Sequence, residues 1–202
     1  MRCRKRITHL PSTYTEIDVI NKALTLLGGN QITSRSENTE AAKTMDALYD
    51  GCRDRVLREC PWNFAVTRTS VASSGTPAWG DFGFLYPKPS DFLYMISLKD
   101  HDDYTLEGDN ILADATDGLT SGPLKFKYVA RVTDTSRYDV LFVEALAYRL
   151  AYEACERITQ SNTKSSGLLQ EYEVTMARAK RINGQEDAPE NYVEDEWIRA
   201  RV

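Results

Sequence analysis

The sequence predicts an α+β protein: an antiparallel bundle of about four helices carrying an inserted small antiparallel β domain and followed by an extended C-terminal tail. Three observations predict it. Residues 36–60 hold small and apolar side chains at helical steps of three and four. Residues 66–133 change to short alternating runs punctuated by Pro77, Pro87, Pro89 and Pro123. Helical spacing then returns from Ser136. The boundaries that follow are a basic arm over 1–12, a helical bundle domain over 13–65 and 134–184, a β domain over 66–133 and an acidic tail over 185–202. With 202 residues, 42% of them hydrophobic, the chain can bury one substantial core or two modest ones.

Thr13 or Thr15 opens the first helix. Ile17, Ile20, Leu24 and Leu27 repeat along it at three, four and three, and Gly28-Gly29 stops it. Gly28-Gly29-Asn30 is a helix cap and not a phosphate loop, because it follows a helix and lacks the Lys-Ser/Thr of a P-loop. The second helix carries its stripe as Ala41, Met45, Leu48, Cys52 and Val56, with Ser36 as the expected N-cap. Arg53, Arg55 and Arg58 sit near the end where the helix dipole favours cations. Pro61 ends it, since proline has no N–H and biases Cys60 away from helical geometry. Pro61, Trp62, Phe64 and Ala65 therefore form a helix-to-strand hinge, with the two rings as anchors.

In the β region, Phe92-Leu93-Tyr94-Met95-Ile96 reads as a buried strand. Tyr104-Thr105-Leu106 and Ile111-Leu112-Ala113 flank a four-residue connection, Glu107-Gly108-Asp109-Asn110. Leu124, Phe126, Tyr128 and Ala130 alternate with Lys125, Lys127, Val129 and Arg131, a half-buried strand. Ser136, with Asp139 three residues on, caps the third helix, whose face of Val140, Val143, Ala147, Leu150 and Ala154 is widened by Ala145 and Leu146 to make the most buried of the four. A polar break from Thr159 to Ser166 precedes a fourth helix through Leu168, Leu169, Tyr172, Met176 and Ala179, ending at Gly184. The closing segment carries Glu186, Asp187, Glu190, Glu194, Asp195 and Glu196 and then Trp197-Ile198-Arg199-Ala200-Arg201, an acidic linker holding an apolar and basic hook.

Composition excludes several classes. No apolar run approaches the roughly 20 residues of a membrane span, and Met1-Arg2-Cys3-Arg4-Lys5-Arg6 lacks the apolar stretch of a secretion signal. The expectation is a soluble protein without a membrane partner, made in a reducing compartment. Cys3, Cys52, Cys60 and Cys155 show no C-x-x-C spacing and read as core residues plus one exposed thiol. A net charge of -5 argues against a general nucleic-acid binder, though it does not exclude a wall past which DNA slides.

The residues Ala23-Leu24 with Leu27-Gly28, Ala41 with Tyr49 and Arg53, Leu57, and above all Pro61-Trp62-x-Phe64-Ala65-x-x-Arg68 resemble the tail adaptor, or head-to-tail connector, family of short-tailed bacteriophages, also called tail tubular protein A. The resemblance continues through Tyr86, Pro89 and Asp91, the hairpin from Tyr104 to Leu112, Ala145-Leu146-Ala147 and the closing Trp197-Ile198-x-Ala200-Arg201, so that it covers about residues 15–202. Two departures are Lys88, where the family tends to have leucine, and the longer basic arm. The resemblance implies a structural virion protein of the tail, made in the bacterial host cytoplasm. Twelve copies would form a ring between the portal ring and a tail nozzle of the tubular protein B type, lining the channel through which viral DNA leaves without sequence-specific binding. It implies a portal-side docking set of Tyr192, Trp197, Ile198, Arg199 and Arg201, and a nozzle-side surface of Asp102, Asp103, Tyr104, Asp109 and Asn110.

The competing class is a tail-associated glycan-degrading enzyme. Its candidate carboxylates, Asp102, Asp103, Glu107 and Asp109, lie in turn-like polar sequence where a carboxylate stays ionised, whereas a glycosidase needs one with a raised pKa. His9 and His101 have no Ser, Cys or metal-ligand constellation nearby, and Asp114 to Gly118 lacks EF-hand spacing. The expectation is no catalysis, no metal and no cofactor. A sugar-binding module resting on Trp79, Tyr86 and Tyr104 is the third reading.

Overall fold

The structure is a computed structural model that describes residues 14–99, 103–114, 122–159 and 162–186. It is a mixed α+β chain of four helices and two small antiparallel sheets in the order α1 (Glu16–Leu27), α2 (Glu40–Glu59), β1 (Val66–Val71), β2 (Phe84–Pro87), β3 (Phe92–Leu98), β4 (Thr105–Glu107), β5 (Asn110–Ala113), β6 (Leu124–Ala130), α3 (Val140–Thr159) and α4 (Asn162–Glu186). The basic arm, His101, Asp102 and residues 187–202 of the acidic tail, with its hook, lie outside the described residues, while Gln185 and Glu186 belong to α4 and not to the tail.

Thr15 caps α1 reciprocally: the Asp18 N–H donates to Thr15 Oγ1 at 3.2 Å, and the Thr15 N–H donates to Asp18 Oδ2 at 2.8 Å. Gly28, at φ +72, closes the helix in the left-handed conformation that only glycine adopts cheaply. The cap of α2 is Thr39 and not the expected Ser36. The carboxylate of Glu37 accepts from the Thr33 and Ser34 backbone and the Thr33 hydroxyl, so residues 33–37 are committed to a turn, and helical winding starts only beyond it. The side chain of Asn21 clamps the preceding loop, donating to Ile32 O at 2.9 Å and accepting from Ile32 N at 2.8 Å. On α2, Met45, Cys52 and Val56 are buried as expected, while Ala41 and Leu48 are only partly buried; Tyr49, Arg53 and Leu57 complete the inward side.

The first sheet has the order β1-β6-β3 and the second β2-β5-β4. Two cores result, and β6 serves both. Its Val129 joins Ala65, Leu93 and Val132 in the core made by the helices, whereas its Phe126, Tyr128 and Ala130, with Met95 beside them on β3, pack with Tyr86, Ile111 and Ala113 of the second sheet. The alternation read in β6 is thus correct, but both its faces are covered at the C-terminal end and only Lys125 and Lys127 extend past that cover. The β4–β5 connection is two residues shorter than expected: Glu107 pairs with Asn110, leaving Gly108, at φ +48, and Asp109 as the turn.

The start of α3 also departs from expectation. Ser136 falls in a short 3-10 turn, Thr135–Arg137, held by Asp134, and Asp139 caps α3 through the Leu141 N–H at 2.7 Å. Val140 consequently points outward, 58% exposed. The rest of α3 is buried along most of its length and packs against α1, α2 and α4. Gly184 lies inside α4 and does not end it, because the helix is held to its last turn by Asn183, which is tied to the hinge.

Candidate functional site

The hinge is the best-built feature of the molecule. With α2 ending at Glu59, its last carbonyls lack helical donors; the Trp62 indole N–H donates to Val56 O at 3.0 Å and satisfies one of them. The indole is 2% exposed and meets Phe142 of α3 edge-on, ring centroids 5.2 Å apart. Phe64, partly buried, meets the same ring at 5.1 Å and Tyr138 at 5.8 Å. The Tyr138 hydroxyl donates to Val132 O at 3.0 Å, which closes an aromatic cluster over the helix-to-strand junction. The chain turns because the N–H groups of Ala65 and Val66 both donate to Trp62 O, at 2.8 and 3.1 Å, after which Ala65 O accepts from Ala130 N at 2.9 Å and β1 enters the sheet.

Charged groups fasten the same junction from outside. Arg53, expected to serve the helix dipole, is buried against Asp50 at 2.8 Å and Asp54 at 2.9 Å. Asp54 also holds Arg131 at 2.7 Å, joining α2 to the segment after β6. Arg137 donates to Phe64 O at 2.7 Å. Asn183 donates to Pro61 O at 2.6 Å and accepts from Asn63 N at 3.1 Å, and Asn63 donates to Glu186 at 2.7 Å. The end of α4 is therefore fixed to the hinge, at the foot of β1. Sequence spacing identified the rings but not these clamps, because Asn183 and Arg137 are remote from the hinge in the chain.

The second sheet carries the other candidate surface. Of the expected nozzle-side residues, Asp103 and Asp109 are exposed and Asn110 is partly buried in its ladder; Tyr104 packs partly against the inter-sheet core. Lys88 braces the hairpin turn, its N–H donating to Asp109 O at 2.9 Å and its Nζ to Gly108 O at 2.6 Å. Beside the hairpin, residues 77–82 border a cleft of about 590 Å³ lined by Trp79, Phe82, Leu85, Thr105, Glu107, Asn110 and Leu112. Trp79 is 88% exposed there, in contrast to the buried Trp62. Tyr86, read from the sequence as an exposed sugar-stacking ring, is fully buried and donates to Gly122 O at 3.1 Å, so it is removed from that reading.

Glu107 and Asp109 stand in solvent at the hairpin turn, and among the described residues no group of three or more His, Cys, Asp or Glu could hold a metal ion. Cys52, Cys60 and Cys155 are buried, and burial pushes the Cys52 and Cys60 thiols up to about 11, away from nucleophilic reactivity. No helix among the described residues is long and apolar enough to cross a membrane. No protein-family model matches the chain, and no curated protein matches it.

Proposed function

We propose that this chain is a structural virion protein, a ring-forming adaptor that joins the portal ring to the tail nozzle and lines the DNA channel. In this reading residues 13–65 and 134–184 act as a helical bundle domain, from which the inserted 66–133 domain projects. Tyr192, Trp197, Ile198, Arg199 and Arg201 dock on the portal side, and Asp103, Tyr104, Asp109 and Asn110, with Asp102, face the nozzle. A ring of about twelve copies multiplies modest contacts, because each further contact forms at high effective concentration.

The observation that carries the reading is Trp79. Among the described residues this indole is left 88% exposed beside a cleft that it shares with Phe82, next to the sheet that bears the acidic hairpin turn. Large apolar surface left in water beside polar groups is the signature of a docking face. The resemblance around Pro61-Trp62-x-Phe64-Ala65 supplies the assembly in which such a face would be used. A sugar-binding module is the second reading, favoured by the same indole next to Glu107 and Asn110, which could stack on and hydrogen-bond a pyranose ring.

Mass photometry of the purified protein, alone and with a candidate portal ring, tests the proposal alongside a hydrolysis blank on host cell-wall glycan. A ring-sized species or a stoichiometric portal complex without hydrolysis is the expected result. A persistent monomer that ignores the portal and cleaves glycan overturns it. A Trp79→Ala variant that loses nozzle binding supports the docking face, whereas one that loses only glycan retention selects the sugar-binding reading.

A further inference from the structure

The helix-side face of the first sheet is strongly basic in a chain of net charge -5. Arg68 pairs directly with Lys127 across β1 and β6, Ser70 pairs with Lys125, and Ser97 of β3 pairs with Lys127. With Lys99, whose N–H donates to Lys125 O at 2.8 Å, these residues line a concave surface of about 420 Å³ just beyond the cover of the helices. The ion pairs among the described residues engage Arg35, Arg53, Arg55, Arg131, Arg149 and Arg157, leaving Arg68, Lys125 and Lys127 without a carboxylate. Like charges placed directly opposite on neighbouring strands destabilise a sheet. An anion seated between Arg68 and Lys127 removes that repulsion.

We propose that this face is the docking surface for the acidic segment of the same chain, residues 187–196, which carries Asp187, Glu190, Glu194, Asp195 and Glu196. Position favours it. Glu186 is hydrogen-bonded to Asn63 at 2.7 Å, three residues before β1, so the segment starts beside the foot of that strand. At about 3.5 Å per residue, Asn63 to Arg68 spans at most ~18 Å, and Glu186 to Glu194 reaches up to ~28 Å. Spacing favours it as well. Lys125 and Lys127 share a face two positions apart, about 6.6 Å along a strand, and an extended Glu194-Asp195-Glu196 presents two carboxylates at the same interval. A tethered acidic peptide also arrives at an effective concentration that a free polyanion lacks. The contact ends before Trp197, which leaves the hook available to a partner. This inference stands apart from the adaptor reading, since it concerns the free chain.

The test is chymotryptic cleavage of the full-length protein after Tyr192, inside the contact, followed by mass spectrometry, with cleavage after Trp197, outside it, as the internal reference. Relative to wild type, Lys125→Glu with Lys127→Glu is expected to speed cleavage about tenfold, by loss of the tethered contact. Adding Glu194→Lys with Glu196→Lys should return the rate toward wild type. High salt should accelerate the wild type and leave the charge-reversed variant unchanged, because screening removes what that variant has already lost. Should the reversed variant fail to show native circular dichroism, Arg68→Gln with Lys125→Gln replaces it. Equal cleavage rates in wild type, reversed and swapped proteins overturn the proposal. So does binding of a short DNA duplex that the reversal abolishes while cleavage is unaffected, an outcome that assigns the face to nucleic acid.

Discussion

Replacing Trp62 by alanine and by phenylalanine separates the parts of the hinge. The indole is 2% exposed, so alanine opens a cavity that a two-sided aromatic cluster cannot readily fill. Aromatic truncations of this kind cost about 3–5 kcal/mol. For a protein of this length each kcal/mol moves the melting temperature by about 2–4 °C, so Trp62→Ala should lower it by roughly 6–20 °C. Phenylalanine keeps most of the ring packing but removes the N–H that serves Val56 O. An unmet buried acceptor costs about 1–3 kcal/mol, so Trp62→Phe should fall between wild type and alanine. Thermal unfolding followed by far-ultraviolet circular dichroism reads both values. The reasoning is refuted if Trp62→Ala melts within about 2 °C of wild type, which would correspond to less than ~1 kcal/mol. It also fails if the phenylalanine variant is as unstable as alanine, for then the hydrogen bond and not the packing would hold the junction.

Three further outcomes are expected. Asn183→Ala should cost about 1 kcal/mol through its two hinge hydrogen bonds and speed amide exchange over residues 180–186; unchanged exchange there would show the clamp to be idle. Native protein should leave Cys52 and Cys60 unreacted by a disulfide reagent at neutral pH and react at both in denaturant, since both thiols are buried with pKa pushed up to about 11; native labelling of either by peptide mapping contradicts their burial. Burial pushes Tyr94, Tyr128 and Tyr138 up to about 12 from an ordinary value of 10.0. Folding keeps these phenols protonated, so the stability they confer is complete below pH 10 and lost as the pH rises from 10 through about 12. The phenolate absorbance that disappears when Tyr94, Tyr128 and Tyr138 are replaced by phenylalanine should therefore develop only in that window, and its development at pH 10 in a still folded protein would refute it.

The local sequence determined what local physics can decide. Thr15, Asp18 and Gly28 bound α1 because capping groups act within a few residues; Pro61 ends α2 because it lacks an N–H; and the alternation of Leu124, Phe126 and Tyr128 marks one face of β6 because strand side chains have a period of two. Tertiary structure decided what depends on remote partners. Arg53 is buried because Asp50 and Asp54 meet it on α2 while the rest of the fold closes over it, and Tyr86 is buried because a second sheet folds onto the first. Glu37 moved the start of α2 by holding its own turn, and Asn183 carried α4 past Gly184 by bonding to a hinge far away in the chain. The basic face emerged in the same way: Arg68 lies on β1, Lys125 and Lys127 on β6 and Lys99 just past the end of β3, and only the register that brings those strands together places their charges on one surface.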